Sequence, residues 1–176
     1  MKVCGLDLST TSSGISVIED GKLIYNELIS PNKKDNMFDR MIYTQKEIEK
    51  VLKKYQIKYV GVEDVAISVS RNAKTCHDLL FLVGMICGLC NTCNINWKIF
   101  LPTHWRKVVG LYKEKQTREE LRREYQKEKG ISFANKIFGL NLSWQSDNED
   151  KKNHNSDLAE SALIALALEK ELKEGE

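Results

Sequence analysis

The chain has 176 residues, of which 41% are hydrophobic, and it carries 27 Lys and Arg against 25 Asp and Glu. This length fits one domain over residues 1–176 with a core of its own, and the composition is typical of a soluble globular protein. No run reaches the roughly 18 apolar residues of a membrane span, and an acid at position 7 falls where a signal peptide would be apolar. We therefore expect an intracellular, cytoplasmic protein without a membrane partner.

The first half of the chain predicts a hairpin followed by alternating helices and strands. Residues 3–8 alternate in polarity and predict a strand that ends at Asp7. The β-rich segments 15–18 and 23–29 flank an Asp-Gly turn, which predicts an antiparallel hairpin. The elements predicted next, in chain order, are a helix over 37–52, a strand within 56–65, a long apolar helix over 73–93 and a strand over 97–101.

Two threonines begin predicted helices in the second half. Thr103 can cap a short basic helix, and Thr117 forms a capping box with Glu120. Gly130 is expected to interrupt the second helix, and the remaining predictions are an apolar helical segment over 133–140, a polar loop over 143–155 and a last helix over 156–172. The order predicts an α/β fold, a mixed sheet with three antiparallel and then parallel strands and helices on both faces. Sites in such sheets gather at strand ends.

Four acids stand where a carboxylate is costly to bury without a cation or a hydrogen-bond donor. Asp7 and Glu63 each end an apolar strand, and Asp157 and Glu160 share one face near the start of the last helix. That helix is otherwise apolar and rich in alanine, so we expect it to lie close to the sheet with both acids in a cleft. The helix dipole, which favours anions there, is the structural alternative. Carboxylates are the ligands of hard divalent cations that promote phosphodiester cleavage, so the four acids predict a metal site that cuts a nucleic-acid backbone.

Basic residues crowd the segment before the last helix, which suggests contact with phosphates. They are Arg106, Lys107, Lys113, Lys115, Arg118, Arg122, Arg123, Lys127 and Lys129. A solvated helix face with interspersed glutamates as counter-charges explains the stripe equally well. The tryptophans are expected to pack in the core or at an interface, with stacking on bases as the alternative; they are Trp97, Trp105 and Trp144.

Three short motifs together resemble the RuvC-type Holliday junction resolvases of the ribonuclease H-like superfamily. They are Gly5-Leu6-Asp7-Leu8-Ser9, Val62-Glu63-Asp64-Val65 and Asp157-Leu158-Ala159-Glu160. The stretch from Pro102 to Gly110 and the Arg71-Asn72-Ala73 start of a long helix are also similar to that family, so the likeness covers most of the chain in order and spacing.

This resemblance implies a ribonuclease H-like fold, a homodimer, and magnesium-dependent symmetric nicking of four-way DNA junctions, with Mn²⁺ expected to substitute for Mg²⁺. It implies that Asp7, Glu63, Asp157 and Glu160 are catalytic metal ligands. Lys115 would act beside the scissile phosphate. The residues expected to contact nucleic acid are Arg71, Arg106, Lys107, Lys113, Lys115 and Arg118.

The sequence departs from the family pattern at two positions. Glu160 stands where the family usually has Asp, and its longer side chain changes the expected metal geometry. No aromatic residue lies near Ala66, where bacterial members tend to have one, so flap or other branched DNA is also an expected substrate. His154 either assists a water or a metal, as a histidine near this helix does in some relatives, or is an exposed loop residue.

Other functions fit parts of the pattern less well. Residues 7–14 resemble the phosphate loop of sugar kinases and actin-like ATPases, but those proteins need a second domain and a second glycine-rich loop. A non-catalytic binder of branched nucleic acid is disfavoured because four acids converge with no evident arginine partner beside them. The nearer alternative is a ribonuclease H-like nuclease with another specificity, for flap DNA or RNA–DNA hybrids.

Overall fold

The computed structural model describes residues 1–65, 73–112, 117, 123–143 and 155–175. Within these ranges the chain forms one five-stranded sheet. The strands are β1 (Lys2–Asp7), β2 (Ser13–Glu19), β3 (Lys22–Ile29), β4 (Tyr59–Glu63) and β5 (Asn96–Phe100). Their order across the sheet is β3-β2-β1-β4-β5, so β1 lies in the centre.

The strand directions confirm the predicted mixed sheet. β1 pairs antiparallel with β2, and β2 pairs antiparallel with β3. β4 is parallel to β1, and β5 is parallel to β4. The predicted hairpin turn is present: Asp20 and Gly21 both have positive φ, at 50° and 78°, as expected of a two-residue turn whose twist matches that of its strands.

Helices cover both faces of the sheet, as the sequence predicts. They are α1 (Met37–Tyr55), α2 (Ala73–Thr92), α3 (Pro102–Val109), α4 (Arg123–Phe138) and α5 (Asn155–Glu174). Since side chains alternate along a strand, Leu6 of β1 packs in one core with α1 and α2, and Val3 packs in a second core with α3, α4 and α5.

Two glycines determine how closely α5 approaches the sheet. A Cβ atom at Gly5 of β1 would lie 2.2 Å from the backbone oxygen of Ser161, and one at Gly14 of β2 would lie 2.0 Å from that of Asp157. Only a residue without a side chain fits at such distances. Ser16 and Ser161 also share a buried hydrogen bond of 2.7 Å. The first half of α5 is therefore held directly against the two central antiparallel strands.

Two expectations about the helices are wrong. Thr103 does not cap α3, because the helix begins at Pro102 and its N-cap residue is Leu101, with no side-chain capping hydrogen bond. α4 continues through Gly130 without a break.

By length and composition alone, α2 is also apolar enough to cross a membrane, and 33% of its apolar stretch is buried. Leu82, Ile86 and Cys90 are fully buried in the first core, whereas Leu80 and Phe81 are exposed.

Candidate active site

Three of the four predicted acids converge at the carboxyl end of β1. Asp7 is the last residue of β1, and Asp157 and Glu160 lie in the first two turns of α5. Their carboxylates each offer an oxygen such that all three oxygens lie within 4.8 Å of one another. The close approach of α5 at Gly14 produces this arrangement, because it brings the backbone of Asp157 directly over β2 beside the end of β1.

Glu63, the fourth predicted acid, lies on the neighbouring strand. β1 and β4 are parallel with Leu6 opposite Val62, so Asp7 and Glu63 follow at adjacent strand ends. Glu63 is outside the tight group of three, but its charge acts on Asp7. Its Oε1 atom accepts a hydrogen bond of 2.9 Å from the indole N–H of Trp105.

Burial and crowding of charge raise the pKa of Asp7 well above its usual range. Loss of solvation is the largest cause, followed by the negative charges of Glu160, Glu63 and Asp157, while Lys127 acts in the opposite direction. Each of these carboxylates disfavours ionisation of its neighbour. Among the described residues, three acids therefore oppose the ionisation of Asp7 and Lys127 favours it.

Two basic side chains reach this group of acids. Nη2 of Arg106 donates to Oε1 of Glu160 at 3.1 Å, and both side chains are largely buried, with 13% and 9% of their surface exposed. Nη1 of Arg106 donates to Gln126 of α4. Nζ of Lys127 lies 3.9 Å from Oδ1 of Asp157. Arg106 is therefore an arginine partner of the acids, and the sequence-based expectation of none was wrong.

The predicted nucleic-acid contacts are only partly within the described residues. Lys107 is exposed on α3, whereas the guanidinium of Arg106 is engaged by Glu160 and Gln126. Trp97 is exposed on β5 and Trp105 is completely buried. The predicted residues outside the described part of the chain are Arg71, Lys113, Lys115, Arg118, Trp144 and His154.

The donor set fits a hard divalent cation. Asp7, Asp157 and Glu160 offer only carboxylate oxygens, which Mg²⁺, Mn²⁺ and Ca²⁺ prefer over nitrogen or sulfur. After loss of solvation, the charges of the neighbouring carboxylates are the next causes that raise the pKa of Asp7. A bound cation would offset the repulsion between these carboxylates. The local charges and the oxygen donors therefore both favour a hard divalent cation.

The sequence did not predict that Trp105 and Arg106 contact the acids. Both lie on a short amphipathic helix and carried no motif that connects them to Glu63 or Glu160. The one available signal was the position of this helix directly after β5, which is the strand next to β4. A helix that starts at that sheet end lies beside the end of β4, where Glu63 is located.

The fold, together with carboxylates at the ends of β1 and β4, defines a ribonuclease H-like α/β protein. No family model matches the chain. RuvC, the crossover junction endodeoxyribonuclease of Ehrlichia canis, is 36% identical over 112 residues, which are 62% of this chain and 70% of the relative. RuvC of Rickettsia felis is 28% identical over 116 residues, or 64% of this chain and 73% of the relative. The chain belongs to the RuvC family of crossover junction endodeoxyribonucleases, which confirms the resemblance seen in its motifs.

Solved structures show the same fold over nearly the whole chain. Thermus thermophilus RuvC in complex with a Holliday junction substrate has a TM-score of 0.74 at 16% identity, covering 99% of this chain and 96% of that one. The yeast mitochondrial Holliday junction resolvase Ydc2 has a TM-score of 0.56 at 17% identity, covering 96% and 77%. The family excludes the sugar-kinase and ATPase alternative considered from residues 7–14.

Proposed function

We propose that this chain is a metal-dependent endonuclease that resolves four-way DNA junctions by paired, symmetric nicks. The observation that carries the proposal is the convergence of the Asp7, Asp157 and Glu160 carboxylate oxygens within 4.8 Å at one strand end. Membership in the RuvC family supports the choice of substrate, as does the shared fold with a Thermus thermophilus RuvC solved in complex with a Holliday junction substrate.

Asp7, Glu63, Asp157 and Glu160 would hold the metal, with Mg²⁺ as the expected ion and Mn²⁺ as a substitute. Divalent ions bound there would lower the pKa of water so that hydroxide is available to attack phosphorus, and would supply positive charge for the oxygens that become negative during the displacement. The charges of the three other acids all act on Asp7. Glu63 and Glu160 are the members held by side chains of α3.

Basic residues are proposed to bind the DNA backbone around this site. Lys107 is exposed on α3, the helix whose Trp105 and Arg106 contact the acids, and is proposed to bind a phosphate there. Lys115 keeps its proposed role beside the scissile phosphate, and Arg71, Lys113 and Arg118 keep theirs as further contacts. Such contacts position the DNA without reading its sequence.

We further propose that the enzyme is a homodimer, because a four-way junction has two-fold related cutting positions and a two-fold dimer supplies two matching sites. The exposed face of α2 is the proposed contact: Leu80 and Phe81 leave 47% and 46% of their surface exposed. Light scattering should give twice the 20.2 kDa mass of one chain. Phe81→Glu should give monomers, whereas Phe38→Glu, on an exposed aromatic of α1, should not. A wild-type monomer at micromolar concentration would contradict the dimer.

The deciding experiment is cleavage of a synthetic four-way junction with magnesium, compared with linear duplex, flap DNA and an RNA–DNA hybrid. We expect paired nicks at two-fold related positions in the junction and none in the absence of a divalent ion. Preferred cutting of the flap or the hybrid would support a ribonuclease H-like nuclease of other specificity. Binding of the junction without any cleavage under these conditions would support a non-catalytic binder.

A further inference from the structure

We propose that Trp105 is a positioning residue for metal binding, which fixes the carboxylate of Glu63 through its indole N–H. This inference rests on the proposed metal role of Glu63. Trp105 has no exposed surface, and its Nε1 atom lies 2.9 Å from Oε1 of Glu63. A buried indole N–H requires an acceptor, and an ionised carboxylate makes the bond shorter and stronger than a neutral acceptor would.

Glu63 needs such a support more than the other acids do. It lies outside the group of three that approaches within 4.8 Å, at a strand end where its side chain is half-buried. A glutamate has three rotatable side-chain bonds, so its carboxylate can occupy many positions unless something fixes it. Trp105 cannot follow such movement, because its ring is enclosed in the second core with Phe100 and Val109. The hydrogen bond therefore ties one carboxylate oxygen to a rigid point.

The next residue of α3 supports a second acid in the same way. Arg106 donates to Oε1 of Glu160 at 3.1 Å, and its guanidinium carbon lies 4.8 Å from the centroid of the Trp105 ring. Nε of Arg106 is buried with no hydrogen-bond partner, so its two terminal nitrogens make the polar contacts that hold the group. Two consecutive residues thus contact an acid of β4 and an acid of α5.

Loss of the indole N–H should therefore weaken metal binding even without DNA. Removing a group that hydrogen-bonds to a metal ligand typically lowers metal affinity or activity by about 10-fold to 100-fold. We expect Trp105→Phe to raise the dissociation constant for Mn²⁺, measured by isothermal titration calorimetry, by about 10-fold or more. With junction DNA, kcat should fall while KM for the junction stays unchanged, because Trp105 is buried and does not contact DNA.

The chain offers a matched control. Trp97 also donates its indole N–H to an oxygen at 2.9 Å, that of Asn91, on the exposed side of β5. Trp97→Phe removes the same kind of bond away from the acids and should leave the affinity for Mn²⁺ unchanged. An equal loss of affinity in both variants, or none in Trp105→Phe, would overturn the positioning role.

Making Trp105→Phe in a Glu63→Ala protein separates positioning of Glu63 from general damage to the core. Glu63→Ala should weaken Mn²⁺ binding by itself, and adding Trp105→Phe to it should cause no further loss. A further loss of the same size as in the wild-type background would show that Trp105 acts through packing and would overturn the inference. Unchanged Mn²⁺ binding in Glu63→Ala would instead refute the proposed ligand role of Glu63, so the two failures are distinguishable.

Spectroscopy of the folded protein tests the bond directly if Trp105→Phe does not fold. The indole N–H proton of Trp105 should resonate downfield in the wild-type protein, as a proton in a bond to a carboxylate does. It should shift upfield in Glu63→Ala, while the indole proton of Trp97 should not move. An unchanged Trp105 resonance in Glu63→Ala would show that the bond is absent in solution and would overturn the inference.

Discussion

Replacing Asp7 by Asn should stabilise the metal-free protein and abolish cleavage. Asn keeps the shape of the side chain and removes one negative charge from a group whose oxygens lie within 4.8 Å of one another. At an effective dielectric constant of about 20, two unit charges at 4.8 Å repel by roughly 3.5 kcal/mol. Lys127 and Arg106 offset part of this repulsion. We expect a net gain of about 2 kcal/mol, or roughly 4–8 °C in melting temperature for a domain of this size.

The raised pKa of Asp7 determines the sign of the pH dependence. Its carboxyl group prefers the neutral form more strongly in the folded protein than in the unfolded chain, so ionisation of Asp7 destabilises the metal-free fold. This destabilisation is complete above the raised pKa and disappears as the pH falls through it toward the ordinary value. The stability advantage of Asp7→Asn over the wild type should therefore grow as the pH rises and vanish in acid.

Thermal unfolding in the presence of a chelator and in millimolar magnesium measures both effects. Magnesium should stabilise the wild-type protein, because a ligand that binds only the folded state raises its stability, and should have little effect on Asp7→Asn. Asp64→Asn is the matched control, since Asp64 is beside Glu63 but does not act on Asp7. Reduced stability of Asp7→Asn in chelator, or equal stabilisation of both proteins by magnesium, would refute the electrostatic reasoning. Junction binding should survive in Asp7→Asn, because the phosphate contacts come from basic residues.

Three further substitutions test other parts of the structure. Arg106→Met should lower the unfolding free energy in chelator by about 3 kcal/mol, because Glu160 is left buried without its cation. Urea denaturation measures this loss, and much of it should be restored when magnesium is present. An unchanged urea midpoint in chelator would contradict the buried ion pair. Gly5→Ala should unfold the domain or cost more than about 3 kcal/mol. Gly130→Ala, at an open position in α4, should be neutral or stabilising by up to about 1 kcal/mol; comparable melting temperatures would exclude the close packing of α5. Lys107→Ala should weaken junction binding and reduce the slope of log affinity against log salt by about one, and an affinity that does not depend on salt would argue against phosphate contacts altogether.

The order of the elements was predictable because each carries its own local signal. Alternating polarity gave the strands, the Asp20-Gly21 turn gave the hairpin, and helical spacing gave α1, α2 and α5. Gly130 misled the prediction of α4, because glycine costs a helix only about 1 kcal/mol and packing of α4 against α5 offsets it. α2 was predicted correctly as a long apolar helix, although Lys74, His77 and Asp78 near its start prevent an uninterrupted apolar run.

The candidate site was predictable only as far as single elements determine it. Asp157 and Glu160 share a helix face whatever the tertiary structure, and the apolar surroundings of that helix indicated that it is buried. The partners of the acids depend instead on how α3 and α4 pack against α5, which no local pattern encodes. Arg106 was therefore interpreted as one of several basic residues facing DNA, although its nearest charged partner in the fold is Glu160.

Gly5 and Gly14 bear on how a mutational survey of this family would be interpreted. Both lack side chains because the backbone of α5 occupies the space that a single methyl group would need. Alanine at either position would push α5 outward and carry Asp157 and Glu160 with it, so cleavage would be lost together with stability. A screen scored by cleavage alone would class these glycines with the acids themselves, although neither can bind a metal or a phosphate through a side chain. Stability measured beside cleavage would separate the two classes: loss of Asp7 should remove cleavage from a more stable protein, and loss of either glycine should remove both.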